Sequence, residues 1–231
     1  MALKILEKSQ NRIVALWQIS ENSQFFETQL PKEDLDYIAS KYSDKSANEK
    51  LQTKQEEKKL ERLAVRLLVK NLVEQIGFDY TFLAKTETGK PFLATKKDNQ
   101  NLKLSISHDF PFCAAIIDQN NEVGIDIQSL TPKISRVFHR VMSLEEQEKA
   151  QSLKEQTLFW SYKEALYKYA DIEGLFFKED LNVKLDKNYS KNNDEIQLFG
   201  RIKNDLISYE WLSLSHHTFQ NEDKEFVVIW L

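Results

Sequence analysis

The 231 residues carry 32 Lys and Arg against 36 Asp and Glu, a net charge of −4, with 41% hydrophobic and 11% aromatic side chains. This balance argues against nucleic acid as the main partner, and the apolar content is that of a globular rather than a disordered chain. The single cysteine, Cys113, excludes an intrachain disulfide. The opening MALKILEKSQNR is charged at positions 4, 7 and 9 and lacks the apolar core of a signal peptide. No apolar run nears the ~20 residues of a membrane-spanning helix, so a cytoplasmic chain of one large domain or two small ones is expected.

In chain order, IVALWQI at 13–19 is rich in β-branched and aromatic residues and predicts a strand. Pro31 opens a short helix, PKEDLDYIASKY. A long polar run at about 46–76 follows. Its first half (EKLQTKQEEKK) predicts a solvated helix face, and its second half places Leu60, Leu63, Ala64, Leu67, Leu68 and Leu72 at helical spacing before a stop at Gly77. Gly89-Lys90-Pro91 punctuates a loop. Strands are predicted at 102–107, 112–117 (with Cys113 as a buried thiol) and 123–127, the last two joined by the polar turn DQNN. A second helical region covers about 143–169, followed by Gly174. Strands at 181–185, 196–202, 208–215 and 226–231 complete the chain, with a turn or short loop at 190–195. Strands that cluster after helices, rather than alternating strictly with them, predict an α+β fold.

Two segments carry candidate chemistry. In Val123-Gly124-Ile125-Asp126-Ile127-Gln128, strand periodicity puts Asp126 and Gln128 on one face. A carboxylate and an amide oxygen there suit a hard divalent cation such as magnesium, and Gly124 admits a ligand or another backbone at close range. Equally, Asp126 alone could be a solvated strand-end acid. In the helix Trp160-Ser161-Tyr162-Lys163-Glu164-Ala165-Leu166-Tyr167-Lys168, the residues Trp160, Glu164, Tyr167 and Lys168 share a face. Glu164 and Lys168 are either a simple i, i+4 ion pair or a carboxylate and ammonium arranged around a phosphate. His216-His217 fits no metal motif and reads as structural.

Together the segments resemble the signature of the 4′-phosphopantetheinyl transferase superfamily, in which a Gly-x-Asp strand is followed, at this separation, by a Trp-x-x-Lys-Glu-Ala helix continuing to a further Lys. Upstream, Gly89-Lys90-Pro91, Ser105-Ile106-Ser107-His108 and, more loosely, Arg66-Leu67-Leu68 resemble the larger monomeric, Sfp-type branch, named for the enzyme that activates surfactin synthetase. The resemblance covers about residues 60–185.

The resemblance implies two similar α/β subdomains related by a pseudo-twofold, here 1–119 and 120–231, with the site between them. It implies transfer of 4′-phosphopantetheine from coenzyme A to a serine of an apo acyl or peptidyl carrier protein, as in a holo-[acyl-carrier-protein] synthase. Magnesium would be held by Asp126, Gln128 and Glu164. Glu164, or a water it orients, would be the base, and Lys168 would steady the departing 3′,5′-ADP. Arg66, Lys90, Ser107, His108 and Lys163 would contact coenzyme A. Many Sfp-type members have a glutamate where this chain has Gln128. Between Asp126 and Glu145 there is no acid, while Lys133, Arg136 and Arg140 are basic. That is a positive stretch suited to the acidic carriers the family serves, or else a solvated surface. A monomer is implied. The alternatives are a coenzyme A-binding regulatory module without transfer activity and a magnesium-dependent phosphohydrolase.

Overall fold

Strand β6 (Phe112–Asp118) is buried at every position, and its neighbour β2 (Arg12–Gln18) along five consecutive residues. Continuous apolar runs of this kind mark strands covered on both faces. In the computed structural model, which describes residues 3–42, 49–87, 89–94, 102–186, 197–203 and 211–231, these two strands form the centre of a four-stranded antiparallel sheet. Its edges are β1 (Leu3–Lys8) and β5 (Lys103–Asp109), giving the order β1-β2-β6-β5. The register sets Ile13 opposite Ile117, Ala15 opposite Ala115 and Trp17 opposite Cys113. This face packs against Leu63, Ala64, Leu67, Leu68 and Leu72 of α3 (Glu49–Gln75). Cys113 is fully buried, and burial pushes its thiol well above the ordinary range.

Helix α3 stops where the sequence predicts. Gly77 has φ +87, Phe78 N–H donates to Val73 O and Gly77 N–H to Glu74 O, the paired bonds of a glycine-terminated helix end. The short α1 (Ser23–Glu27) and α2 (Lys32–Lys41) complete the helical layer, with Pro31 just before α2 as expected. A hairpin of β3 (Phe82–Lys85) and β4 (Pro91–Ala94) carries Gly89, φ +90, at its turn. The first strand and this hairpin were not expected from the sequence.

A second compact unit, Val123–Leu231, follows the first, Met1–Glu122. Its sheet runs β7 (Ile125–Ser129), β11 (Lys224–Trp230), β10 (Leu212–Asn221), β9 (Gln197–Ile202) and β8 (Leu181–Asp186), with every pairing antiparallel. One face carries Val227, Ile229, Leu214, Val183 and Ile202. These pack on Leu158, Tyr162, Ala165 and Leu166 of α6 (Leu153–Ala170). Antiparallel sheets with helices gathered beside them make the chain α+β, as expected.

The single helical region expected at 143–169 is two helices, α5 (Leu144–Lys149) and α6. Each starts at its own capping box. Ser143 pairs reciprocally with Glu146, and Ser152 with Glu155. A serine hydroxyl on the third helical N–H, with the glutamate returning to the serine N–H, fixes a helix start, so the chain restarts at Ser152. Helix α4 (Pro132–Val141), with Pro132 in its first turn and Ile134 and Phe138 buried four apart, occupies the basic stretch. His216 sits 3.5 Å from the Tyr162 hydroxyl, and His217 stacks on Phe219, in keeping with structural roles. The turn expected at 190–195 and the first part of the strand expected at 208–215 lie outside the described residues. No helix among the described residues is long and apolar enough to cross a membrane.

Candidate active site

The site in the second unit begins at Gly124. Its backbone pairs with Leu231 through two hydrogen bonds of 3.1 and 3.2 Å. A Cβ at Gly124 would lie 2.0 Å from the carbonyl oxygen of Ala165 and 3.0 Å from the backbone nitrogen of Tyr169. The glycine thus lets the strand entering β7 lie directly on the backbone of α6. That close approach brings Asp126 alongside the last turns of the helix. Asp126 pairs in register with Ile229, and Gln128 with Val227. Both partners face the α6 core, so Asp126 and Gln128 share the helix-facing side of β7.

Lys168 reaches across from α6. Its ammonium donates to Asp126 Oδ1 at 2.9 Å and to the Ile125 carbonyl at 2.8 Å. Asp126 is buried at 5% exposure, and Lys168 and Gln128 are half-buried. The i, i+4 pair expected between Glu164 and Lys168 therefore resolves differently. Lys168 hydrogen-bonds to Asp126, one strand away, and influences Glu164 only through its charge. Glu164, one helical turn before Lys168, is half-buried. Burial and then the neighbouring charge of Asp126 push its carboxyl up to about 7, against the opposing pull of Lys168. Two carboxylates beside one ammonium leave an excess negative charge in a partly desolvated place, which a divalent cation would neutralise.

Among the described residues, no three His, Cys, Asp or Glu side chains form a group that could hold a metal. Magnesium does not need such a cage. It takes one or two carboxylates and completes its shell with waters and substrate phosphate oxygens. Asp126 and Glu164, with the amide oxygen of Gln128 along the same strand face, fit that demand.

Two cations expected to contact coenzyme A have interior work instead. Lys163 is fully buried, and its ammonium donates to Glu146 Oε2 at 2.7 Å, the Phe177 carbonyl at 2.7 Å and the Val141 carbonyl at 3.0 Å. Three donors meet three acceptors, which leaves none for a ligand. Burial pulls its ammonium pKa down while Glu146 holds it up. Glu146 also accepts from the Ser143 and Val183 N–H groups, so one ion pair ties α4, α5, β8 and the segment after α6 onto α6. Arg66, in the first unit, is 3% exposed. It donates from Nε to Asp34 Oδ1 at 2.9 Å, from Nη1 to the Arg62 carbonyl and from Nη2 to the Leu83 carbonyl, with its guanidinium over the Tyr37 ring. Asp34 in turn accepts from the Tyr80 hydroxyl and the Leu83 N–H. Burial raises the Asp34 carboxyl, and Tyr80 and Arg66 oppose that rise. Removing one partner of such a buried pair strands the other charge. Arg66→Met is accordingly expected to lower unfolding stability by about 3–5 kcal/mol. Urea unfolding measures this, and a midpoint equal to the parent's would return Arg66 to the pool of ligand contacts.

The other predicted contacts lie on the first unit's surface and edge strand. Ser107 is buried on β5 opposite Ala114. His108, next along the strand, is half-exposed, with Nδ1 3.2 Å from Glu61 Oε2. Lys90 follows the hairpin glycine and lies 4.0 Å from Glu122. The sequence reading missed Asp34 and Glu146. Their signals were the i, i+4 spacing of Asp34 with the apolar Ile38 and the capping-box spacing of Glu146 from Ser143.

No curated protein matches the chain. Residues 122–228, which hold Asp126, Gln128, Glu164 and Lys168 and span nearly all of the second unit, match the family model of the 4′-phosphopantetheinyl transferase superfamily, and the second unit is in that respect similar to a domain of this superfamily.

Proposed function

We propose that this protein is a magnesium-dependent 4′-phosphopantetheinyl transferase that moves the phosphopantetheine arm of coenzyme A onto a serine of an apo acyl or peptidyl carrier protein. The observation that carries the reading is the meeting of Asp126, Glu164 and Lys168 where β7 lies against α6, inside the segment that matches the superfamily. In this reading Asp126, Glu164 and Gln128 hold the metal. When bound, magnesium supplies charge neutralisation and Lewis acidity at the coenzyme A pyrophosphate.

The chain's own residues supply the rest. Glu164, whose carboxyl is raised to about 7, accepts the serine proton directly or through a water it orients. The serine oxygen forms a bond to the phosphorus bearing pantetheine, and the bond from that phosphorus to the oxygen of 3′,5′-ADP breaks. Lys168 steadies the charge on the leaving phosphate and, through Asp126, keeps the strand carboxylate in place. Lys90, Ser107 and His108 are the remaining candidates for the nucleotide phosphates.

Helix α4 supports the carrier as partner. Lys133, Arg136, His139 and Arg140 are all exposed on it, and no acid occurs between Asp126 and Glu145. A local positive face on an acidic protein steers an acidic partner.

The test is release of 3′,5′-ADP from coenzyme A and magnesium, followed chromatographically with and without apo acyl carrier protein. Release only with carrier is expected. Release without carrier would mean a phosphohydrolase, and tight coenzyme A binding with no release would mean a regulatory binding module.

A further inference from the structure

An acid interrupts the apolar face of α3. Ala64, Val65 and Leu68 are buried in the first unit's core, and Glu61 precedes them at the i, i+3, i+4 and i+7 spacing that defines one helix face. Glu61 is itself only 8% exposed. A carboxylate in such a place costs free energy unless it is partnered, and an apolar side chain would pack there without that cost. Its partner comes from the sheet. On β5, Leu104 and Ile106 belong to the core that α3 covers, and His108 continues that alternation at the end of the strand. His108 Nδ1 lies 3.2 Å from Glu61 Oε2, the one ionic partner of either group among the described residues. The glutamate side chain is 11% exposed and the histidine 45%, so the pair has a buried end and an open end.

A second acid stands near this strand end and is already occupied. Cys113 lies opposite His108 on one side and Trp17 on the other. Its thiol is pushed up by burial and then by the charges of Glu61 and Glu21. Glu21 Oε2 accepts from Trp17 Nε1 at 3.3 Å and from the Ser20 N–H at 3.1 Å. Glu61 is left to His108. An ionised carboxylate only accepts, so the ring nitrogen that faces it carries the proton. Nδ1–H then meets Glu61, and Nε2, which has no partner among the described residues, is left for a ligand. When Nε2 also donates, to a phosphate oxygen, both ring nitrogens are donors. The ring is then an imidazolium, and Glu61 balances its charge.

We propose that Glu61 is the positioning residue of His108: it fixes a proton on Nδ1 and holds the ring as a cationic donor whose Nε2 binds a phosphate group of the nucleotide. An apolar residue at 61 would serve the packing of helix on sheet; the acid serves the histidine. The inference rests on the transferase reading, in which His108 is a candidate for the nucleotide phosphates, and it gives Glu61 a part in that contact.

The probe is 3′,5′-ADP, titrated by calorimetry at pH 8. Glu61→Leu is expected to bind it about tenfold or more weakly, the scale of one charge-assisted hydrogen bond, with a melting midpoint at or above the parent's. Glu61→Gln keeps an acceptor for Nδ1 without the charge and should lose less. Long-range proton–nitrogen NMR of the four histidines, with His108 identified by its absence in His108→Asn, reads the ring itself. The neutral ring of His108 should carry its proton on Nδ1 in the parent and on Nε2 in Glu61→Leu. Parental affinity in Glu61→Leu, or a parent ring protonated on Nε2, would overturn the role of Glu61 and leave the transferase reading standing. Should Glu61→Leu melt below the parent, the affinity of Glu61→Gln and the ring signals of the parent decide. A parent that neither binds 3′,5′-ADP nor releases it from coenzyme A with carrier would overturn both.

Discussion

Glu164→Gln is expected to slow transfer by orders of magnitude while making the metal-free protein more stable at pH 8. The loss of transfer should be about 10²–10⁴-fold, the size of a general-base contribution, because the amide keeps the volume but neither accepts a proton nor offers a charged metal ligand. The stability gain follows from the same group. Burial and the neighbouring Asp126 push its carboxyl up to about 7 in the folded chain, well above its ordinary value. A carboxyl raised on folding contributes its stability in full below the lower value and loses it as pH rises through the higher one. At pH 8 the parent thus holds an ionised, half-buried carboxylate beside Asp126, at a cost of about 1–3 kcal/mol. At pH 4.5 and below that cost is absent. The glutamine variant should melt higher than the parent at pH 8 and alike at pH 4.5. Magnesium should raise the parent's midpoint at pH 8 and close the gap. Thermal melts at the two pH values, with and without magnesium, measure this. A variant that transfers at near-parental rate, or melts lower at pH 8, would remove Glu164 from the proposed site.

Gly124→Ala should do more damage than its single methyl implies. The new Cβ would lie 2.0 Å from Ala165 O and 2.9 Å from its carbonyl carbon, so the obstacle is helix backbone and cannot rotate away. Gly124 does not have a positive φ, so alanine suits its backbone and the whole effect is spatial. Either β7 or α6 must shift by more than 1 Å, at a cost near or above the ~3 kcal/mol upper end for overpacked cores. The same shift draws Asp126 away from Glu164 and Lys168. A displacement of this size at a reacting centre costs about 10²-fold in rate. Gly200→Ala is the control. Its Cβ would meet the tip of the Leu166 side chain at 2.5 Å, a group that can change rotamer, so the loss should be smaller. Urea midpoints compare the two. Equal losses would mean that the contact between Gly124 and α6 does not set the site.

Much of this arrangement was legible in the sequence because it depends on local patterns. Strands β2 and β6 were readable as apolar runs, and the end of α3 as a glycine. Gly124, Asp126, Glu164 and Lys168 stood out by type and spacing. What was not legible depends on tertiary pairing. Nothing in the sequence around Lys163 or Arg66 distinguishes a buried cation from a phosphate ligand. The difference lies in Glu146 and Asp34, 17 and 32 positions away, which fold back onto them. The same holds for Lys168, whose hydrogen-bonded carboxylate proved to be Asp126 rather than Glu164. Helix α4 was legible but passed over, since its basic residues were read as a charged stretch; Pro132 and the Ile134, Val137, Phe138, Val141 spacing mark a helix start and an apolar face.

The most direct measurement of the central claim is the intact mass of an apo acyl carrier protein incubated with the protein, coenzyme A and magnesium, beside a sample containing EDTA. A gain of one phosphopantetheine on the carrier is expected, lost with EDTA and slowed about 10²–10⁴-fold in Glu164→Gln. A gain that persists with EDTA would contradict the metal site. A carrier of unchanged mass, for acyl and peptidyl carriers alike, would contradict the transferase reading itself.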